Sequence, residues 1–327
     1  MLEHGGQIHA AALRYGIPVA EWLDLSTGIN PIPFVPPAIP LATWQRLPQE
    51  QDGLLQAAAS YYGSHDLLPV AGTQAAIQLL PRLRTQCRVG VLTPAYAEHA
   101  HAWRNEGHDV IELNPSQIEA ALEQLGVLVL IHPNNPTGAL FNHTQLYNWY
   151  AKLNARQGWL IVDEAFIEAS SQTSTIRRNM PYGLIVLRSQ GKFFGLAGAR
   201  VGFVFAQNEL LSRLRTLSGP WSVSGPARYV ALAALRDKEW QTTTGTRLQQ
   251  DGARLGQMLQ DAKLPPDGGC ALFQWVKTVQ AQAIHQKLAQ RGILTRLFTQ
   301  PHGLRFGLPG TAAEWSRLQT ALTEINK

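Results

Sequence analysis

The sequence predicts an α/β chain: a mostly parallel sheet covered by helices, with a smaller α+β domain at the C-terminal end completed by an N-terminal arm. Three observations carry this. From about residue 50, short continuous apolar runs alternate with segments of helical period, the pattern of strands buried on both faces. The polar clusters follow the ends of those runs or open a helix, which is the ligand-binding edge of an open α/β sheet. After Pro226 helical segments mix with isolated short strands, and the strict alternation is lost.

Residues 1–45 read as the arm. Pro31, Pro33, Pro36, Pro37 and Pro40 break it, and the periodicity predicts one short helix over Ile8–Tyr15. The large domain spans 46–225. Helices are predicted over Leu54–Tyr62, over Ala75–Leu83 behind Ala71-Gly72-Thr73-Gln74, over Ile118–Leu125 and over Thr144–Ala155. Strands are predicted at Val89–Leu92, Val127–Ile131, Trp159–Val162, Ile185–Leu187 and Val201–Phe205. The small domain, 226–327, carries predicted helices at Ala227–Leu235, Gln249–Ala262 and Ala281–Arg291, with strands at Ala271–Val276 and Gly303–Gly307.

Composition narrows the function class. A hydrophobic content of 45% against 16% charged residues over 327 positions suits globular domains with cores of their own. The net charge of +5 is spread along the chain with no Lys/Arg run of the kind that tracks a nucleic-acid backbone, so a nucleic-acid partner is not expected. Cys87 and Cys270 stand alone without metal-ligand spacing and are expected as buried free thiols, with no metal site. The start Met1-Leu2-Glu3-His4-Gly5-Gly6 lacks the features of a signal peptide, and no apolar run reaches the roughly 20 residues of a membrane span. A cytoplasmic protein is the expectation.

The chemistry concentrates in Ser189-Gln190-Gly191-Lys192-Phe193-Phe194-Gly195-Leu196-Ala197-Gly198-Ala199-Arg200-Val201-Gly202. Glycines admit close approach of the backbone to a bound group, and Ser189 and Arg200 bracket Lys192 with groups suited to an anion. A lysine beside a desolvated phosphorylated aldehyde is what pyridoxal phosphate (PLP) chemistry requires, because a Schiff base needs a deprotonated amine. Ser-x-x-Lys also serves as a nucleophile motif in penicillin-binding proteins and β-lactamases. Those need a later Lys-Thr-Gly, whereas here Lys277-Thr278 is followed by Val279.

Other pieces fit the same ligand. Gly72, Thr73 and Gln74 at a helix start offer N–H groups to a phosphate. Asp163, at a strand end, suits a protonated pyridine nitrogen. Asn135 suits the phenolic oxygen of the ring.

Taken in order, these pieces resemble the fold-type I PLP enzymes of the aspartate aminotransferase superfamily, over nearly the whole chain. The resemblance rests on Asn134-Asn135-Pro136-Thr137-Gly138, Val162-Asp163-Glu164-Ala165-Phe166 and the Ser189–Gly202 stretch. It implies that Tyr96 stacks on the pyridine ring and that the active enzyme is a homodimer. Phe166 stands where many aminotransferases carry a tyrosine. Within the superfamily the chain is similar to the threonine-phosphate decarboxylases of cobalamin biosynthesis, near relatives of the histidinol-phosphate aminotransferases. His4-Gly5-Gly6, Leu25-Ser26-Thr27-Gly28-Ile29-Asn30-Pro31 and Pro94-Ala95-Tyr96-Ala97-Glu98-His99 carry that likeness. It departs at Gln7, where asparagine is common, and at Arg46, where many relatives place a tyrosine that reaches the neighbouring subunit's cofactor phosphate.

The activity implied is decarboxylation of L-threonine O-3-phosphate to (R)-1-aminopropan-2-yl phosphate and CO2, with transamination of a histidinol-phosphate type of substrate as the alternative. The resemblance places Lys192, Asp163 and Tyr96 in catalysis. It places His4, Gly5, Gly6, Asn30, Asn135, Arg296 and Arg305 around the phosphorylated substrate. Arg296 and Arg305 are expected to grip the ester phosphate rather than the carboxylate.

Overall fold

In the computed structural model, residues 4–170 and 173–325 are described. Met1–Glu3, the start of the stretch read above for a leader, lie outside them. A short strand β1 (Leu23–Asp24) belongs to the opening segment. The main sheet is built from β2 (Leu67–Val70), β3 (Arg88–Leu92), β4 (Asp109–Leu113), β5 (Val127–Ile131), β6 (Trp159–Asp163), β7 (Leu184–Ser189) and β8 (Gly202–Phe205). Then come β9 (Gly268–Cys270), β10 (Phe273–Lys277), β11 (Ile293–Leu294), β12 (Arg296–Thr299) and β13 (His302–Gly307).

The seven strands run in the order β2-β8-β7-β6-β5-β3-β4. Only β8 opposes its neighbours, pairing antiparallel with both β2 and β7, while the remaining pairs are parallel. Alternation along the strands splits the core in two. Val127 and Val129 join Ile161 and Ile185 on one face, whereas Leu128 and Leu130 join Val162 and Val186 on the other. Both faces are covered by helices, which is why these strands read as unbroken apolar runs.

The smaller sheet has the order β12-β13-β10-β9, all antiparallel. The opening segment is tied to it: Leu23 and Asp24 pair parallel with Ile293 and Leu294, and Gly307 N donates to Leu25 O at 2.7 Å. Helix Gly225–Arg236, at the change of pattern, packs on helix Leu54–Tyr62, with Arg228 paired to Asp52 at 2.6 Å.

Several expected elements shift for clear reasons. Helix Ala75–Leu83 starts at Thr73 and tightens into a 3-10 turn over Leu80–Leu83, where Pro81 cannot donate. Ile118–Leu125 divides similarly into an α-helical turn, Ile118–Ala121, and a 3-10 turn, Leu122–Gln124. The helix expected at Gln249–Ala262 runs over Lys238–Asp261, capped by Asp237, whose carboxylate accepts from Trp240 N at 2.9 Å. Its early Thr242-Thr243-Thr244-Gly245 are weak helix formers, and packing of Trp240, Thr244 and Leu248 overrides that preference. Strand β2 contains Pro69, tolerated because β2 lies at the sheet edge. Cys87 and Cys270 are free and half-buried rather than fully buried.

Candidate active site

The sheet delivers the predicted residues to one edge. Gly72 and Thr73 follow β2, Tyr96 follows β3 and Asn135 follows β5. Asp163 and Ser189 are the last residues of β6 and β7. Between this edge and the smaller sheet lies a cavity of about 610 Å3, lined by His4, Tyr96, Asn135, Lys192, Arg296 and Arg305 among others.

Lys192 sits in the loop after β7, its Nζ 5.4 Å from the centre of the Phe166 ring. Burial pushes its amine down to about 8, the Arg305 and Arg200 charges assist, and Asp163 opposes them. An amine in that range is a usable nucleophile and proton carrier near neutrality. Its loop is fixed from the opening segment: Asn30 N donates to Lys192 O at 3.1 Å, Asn30 Nδ2 to Phe193 O at 2.8 Å, and Phe34 N to Phe194 O at 2.9 Å. The side chain of Asn30 is thus committed to the lysine loop rather than turned to the cavity.

Asp163 is 4% exposed. Its Oδ1 accepts from Ala165 N at 3.0 Å, and its Oδ2 faces His99 Nε2 at 2.9 Å. His99, in helix Glu98–Asn105, is 2% exposed. The contact holds the carboxylate in a fixed orientation.

Gly72 has φ +71, and a Cβ there would stand 2.4 Å from Arg200 Nη2. Only glycine lets the guanidinium lie against this turn. Arg200 itself has φ +55, uncommon outside glycine, and anchors Nη1 on Ala197 O at 3.0 Å. A Cβ on Gly202 would meet Thr73 N at 2.8 Å, so Thr73, Gly202 and Ser189, whose strand partner is Gly202, crowd one spot. The Ser189 hydroxyl accepts from Gly191 N at 3.1 Å, which keeps its O–H as a donor. Gly72 N itself donates to Val70 O at 2.7 Å, and the Thr73 N–H, a hydroxyl and a guanidinium around the glycine gap fit a phosphate. A lysine of lowered basicity and a buried carboxylate beside them fit the aldehyde and the ring nitrogen of PLP.

The Gln74 side chain serves other side chains of the site. Its Oε1 accepts from the Tyr96 hydroxyl at 3.1 Å, and its Nε2 donates to Glu98 Oε2 at 2.8 Å. Glu98 Oε1 in turn meets His4 Nε2 at 2.8 Å. Burial raises the Tyr96 phenol to about 12, so it stays neutral. The ring of His4 lies 5.9 Å from that of Tyr96.

Arg305 is buried beside Phe273, its Cζ 5.2 Å from the ring centre, and donates to Asn135 Oδ1 and Ser26 O. Burial and the neighbouring Arg296 lower it to about 10, which still leaves it charged. Arg296 is its partner across β12 and β13. Ser26 joins the two opening motifs: its hydroxyl accepts from Gly6 N at 2.7 Å, and a Cβ on Gly5 would stand 2.2 Å from its carbonyl. That contact explains why His-Gly-Gly and Ser-Thr-Gly occur together. Ser26, Glu98 and His99 stand in motifs to which the sequence assigned no role; Glu98 and His99 open the helix that follows β3, a position that itself signals the edge.

Behind the site a buried ion cluster braces the strand ends. Arg188, next to Ser189, meets Glu164 at 3.2 Å and Glu168 at 3.0 Å, with its guanidinium 4.7 Å from the Tyr62 ring centre. Burial raises Glu168, while Arg188 holds it partly in check.

Residues 45–324 match the family "Aminotransferase class I and II". The chain is 53% identical to a threonine-phosphate decarboxylase of Pseudomonas aeruginosa, over 98% of this chain and 97% of that one. It is 40% identical to a threonine-phosphate decarboxylase of Sinorhizobium sp., over 98% of both. In three dimensions it resembles the histidinol-phosphate aminotransferase of Sinorhizobium meliloti solved in complex with pyridoxal-5'-phosphate. There the TM-score is 0.85 at 20% identity, covering 99% of this chain and 95% of that one. The chain therefore belongs to the class I and II aminotransferase family, in the branch occupied by its threonine-phosphate decarboxylase relatives.

Proposed function

We propose that this protein is a PLP-dependent carboxy-lyase of cobalamin biosynthesis that converts L-threonine O-3-phosphate to (R)-1-aminopropan-2-yl phosphate and CO2. The observation that carries this is near-full-length identity of 53% and 40% to threonine-phosphate decarboxylases. The histidinol-phosphate aminotransferase likeness, at 20% identity, speaks for the fold.

PLP supplies an aldehyde that links to amines and a protonated ring that draws electrons from the bond being broken. Lys192 would hold the aldehyde carbon, and Thr73, Ser189 and Arg200, around the gap at Gly72, the phosphate. Asp163, oriented by His99, keeps a proton on the ring nitrogen. Tyr96, its hydroxyl held by Gln74, would cover the ring, and Asn135 would serve the phenolic oxygen. The Lys192 amine is also the group that would hand a proton to Cα in place of the departing CO2.

Arg296, Arg305 and His4, with Gly5 and Gly6 folding the tail close, hold the ester phosphate. A tight ion pair to the departing carboxylate would stabilise the reactant more than the transition state, so that group is left to the less polar side near Phe166.

The test is CO2 release from L-threonine phosphate without an amino acceptor, run beside transamination of histidinol phosphate with 2-oxoglutarate. Acceptor-dependent turnover and no CO2 would reverse the assignment.

We also propose a homodimer. The segment 35–47 exposes Val35, Leu41, Trp44 and Leu47, a density of apolar surface that a second copy would cover. No helix among the described residues is long and apolar enough to cross a membrane. The free Cys87 and Cys270 suit the cytoplasm, where we place the enzyme. The division into an arm, a large domain and a small domain at 45 and 225 is kept as a proposal.

A further inference from the structure

The loop that carries Lys192 is seated by residues far from the reaction. Asn30 is 2% exposed, and every polar group of its side chain is used. Nδ2 donates to Phe193 O at 2.8 Å, and Oδ1 accepts from Ile32 N at 3.0 Å and from Arg247 Nη2 at 2.9 Å. Arg247 lies on helix Lys238–Asp261 and is steadied by Asp251 at 3.1 Å. Two turns before it, Trp240 stacks on Phe194 at 5.7 Å and 12° and meets Phe34 and Phe193 edge-on at 5.5 and 5.6 Å. Gly195 closes the seat, since a Cβ there would stand 2.6 Å from Pro33 Cβ.

We propose that Arg247, acting through Asn30, is a positioning residue for Lys192, coupling the long C-terminal helix to the loop from which the lysine reaches the cavity. Lys192 must let go of one partner and then deliver a proton, so its side chain moves while its backbone has to stay in place. A guanidinium donating to the Asn30 carbonyl polarises the amide and strengthens the N–H bond that Asn30 gives to Phe193 O. Loss of Arg247 leaves a buried amide oxygen with one partner fewer and loosens the loop at its first two carbonyls. Substrate contacts are untouched, because neither Asn30 nor Arg247 lines the cavity.

The inference rests on Lys192 being the reacting amine, and its test is split so that the two can fail separately. In the cofactor-free chain, amide hydrogen exchange of the segment 193–196 is measured for the wild type, Arg247→Met, Arg247→Lys and Asn30→Ala. The pH midpoint of Lys192 acylation is followed in the same four proteins. The charged groups facing Lys192 are Asp163, Arg200 and Arg305, which none of these substitutions removes. Arg247→Met and Asn30→Ala should each speed exchange about tenfold and raise the midpoint by about one pH unit as water reaches the amine. Arg247→Lys should recover part of both. The double substitution should add little to either single one, as expected for groups acting in series. In the holoenzyme kcat should fall about tenfold with KM nearly unchanged. Unchanged exchange and midpoint in Arg247→Met, or full additivity in the double variant, would overturn the coupling. Normal turnover by Lys192→Ala would instead overturn the functional reading and leave the exchange result standing.

Discussion

The lysine that makes the site reactive should cost the empty protein stability, and the cost should disappear as pH rises. Lys192 falls from an ordinary 10.5 to about 8 in the folded chain. Below about 8 the amine is protonated in folded and unfolded chains alike, and the folded state bears the burden of a desolvated charge between Arg305 and Arg200. Between about 8 and 10.5 the unfolded chain binds the proton and the folded chain does not. Stability therefore rises with pH through this window and levels off above it. At about 1.4 kcal/mol per pH unit the full effect is roughly 3 kcal/mol, an upper bound for a side chain that keeps some contact with water. Urea unfolding of cofactor-free wild type and Lys192→Met at several values between pH 7 and 10.5 would read it. The methionine variant should be the more stable at pH 7, and the gap should close toward pH 10.5. A gap that stays constant across the range would refute the desolvation argument, and a gap that widens would reverse its sign.

Other substitutions probe other parts of the site. Gly72→Ala places a Cβ 2.4 Å from Arg200 Nη2 at a backbone φ of +71, and should weaken cofactor retention at least tenfold in an equilibrium titration. Asp163→Asn removes the charge held at the ring nitrogen and should lower kcat by about 10²–10³ while the fold persists by circular dichroism. His99→Phe keeps the ring volume but leaves Asp163 Oδ2 without its 2.9 Å partner, and should cost roughly tenfold in kcat with KM steady. Arg188→Met strands the buried Glu164 and Glu168, and should cost about 3–5 kcal/mol in urea unfolding, with part of the loss regained at lower pH as Glu168 takes up a proton.

The legible parts of the fold were those where one physical signal dominated. β5, β6 and β7 are buried on both faces and so read as apolar runs, and Asp163 and Ser189 stand out as polar residues at their ends. β4 was missed because it is the opposite edge strand, and its Asp-Val-Ile-Glu-Leu is half exposed. Helix Glu98–Asn105 was missed because its buried face is built from His99, Ala100, Ala102 and Trp103 within a polar sequence. Among site residues, those with intrinsic chemistry, such as Lys192 and Arg200, announced themselves. Asn30 is placed beside the substrate by the resemblance and Gln74 beside the phosphate by its main-chain N–H, and neither route foresees that their side-chain amides serve the lysine loop and other side chains. Amides have no charge to fix a partner from sequence, and Arg247 lies 217 positions from the Asn30 it touches.

The pairing of Leu23 with Ile293, and of Leu25 with Gly307, has a consequence for the newborn chain. A ribosome adding about 5–20 residues per second needs roughly a quarter of a minute to a minute between making the two halves of that pairing. Throughout that interval Leu23 and Leu25 lack the strands they pair with, although Asn30 and Phe34 can already dock on the lysine loop once Phe194 and Trp240 have been made. Factors that shelter emerging polypeptides should therefore cling to the segment around Leu23–Leu25 until residues 293–307 have been made.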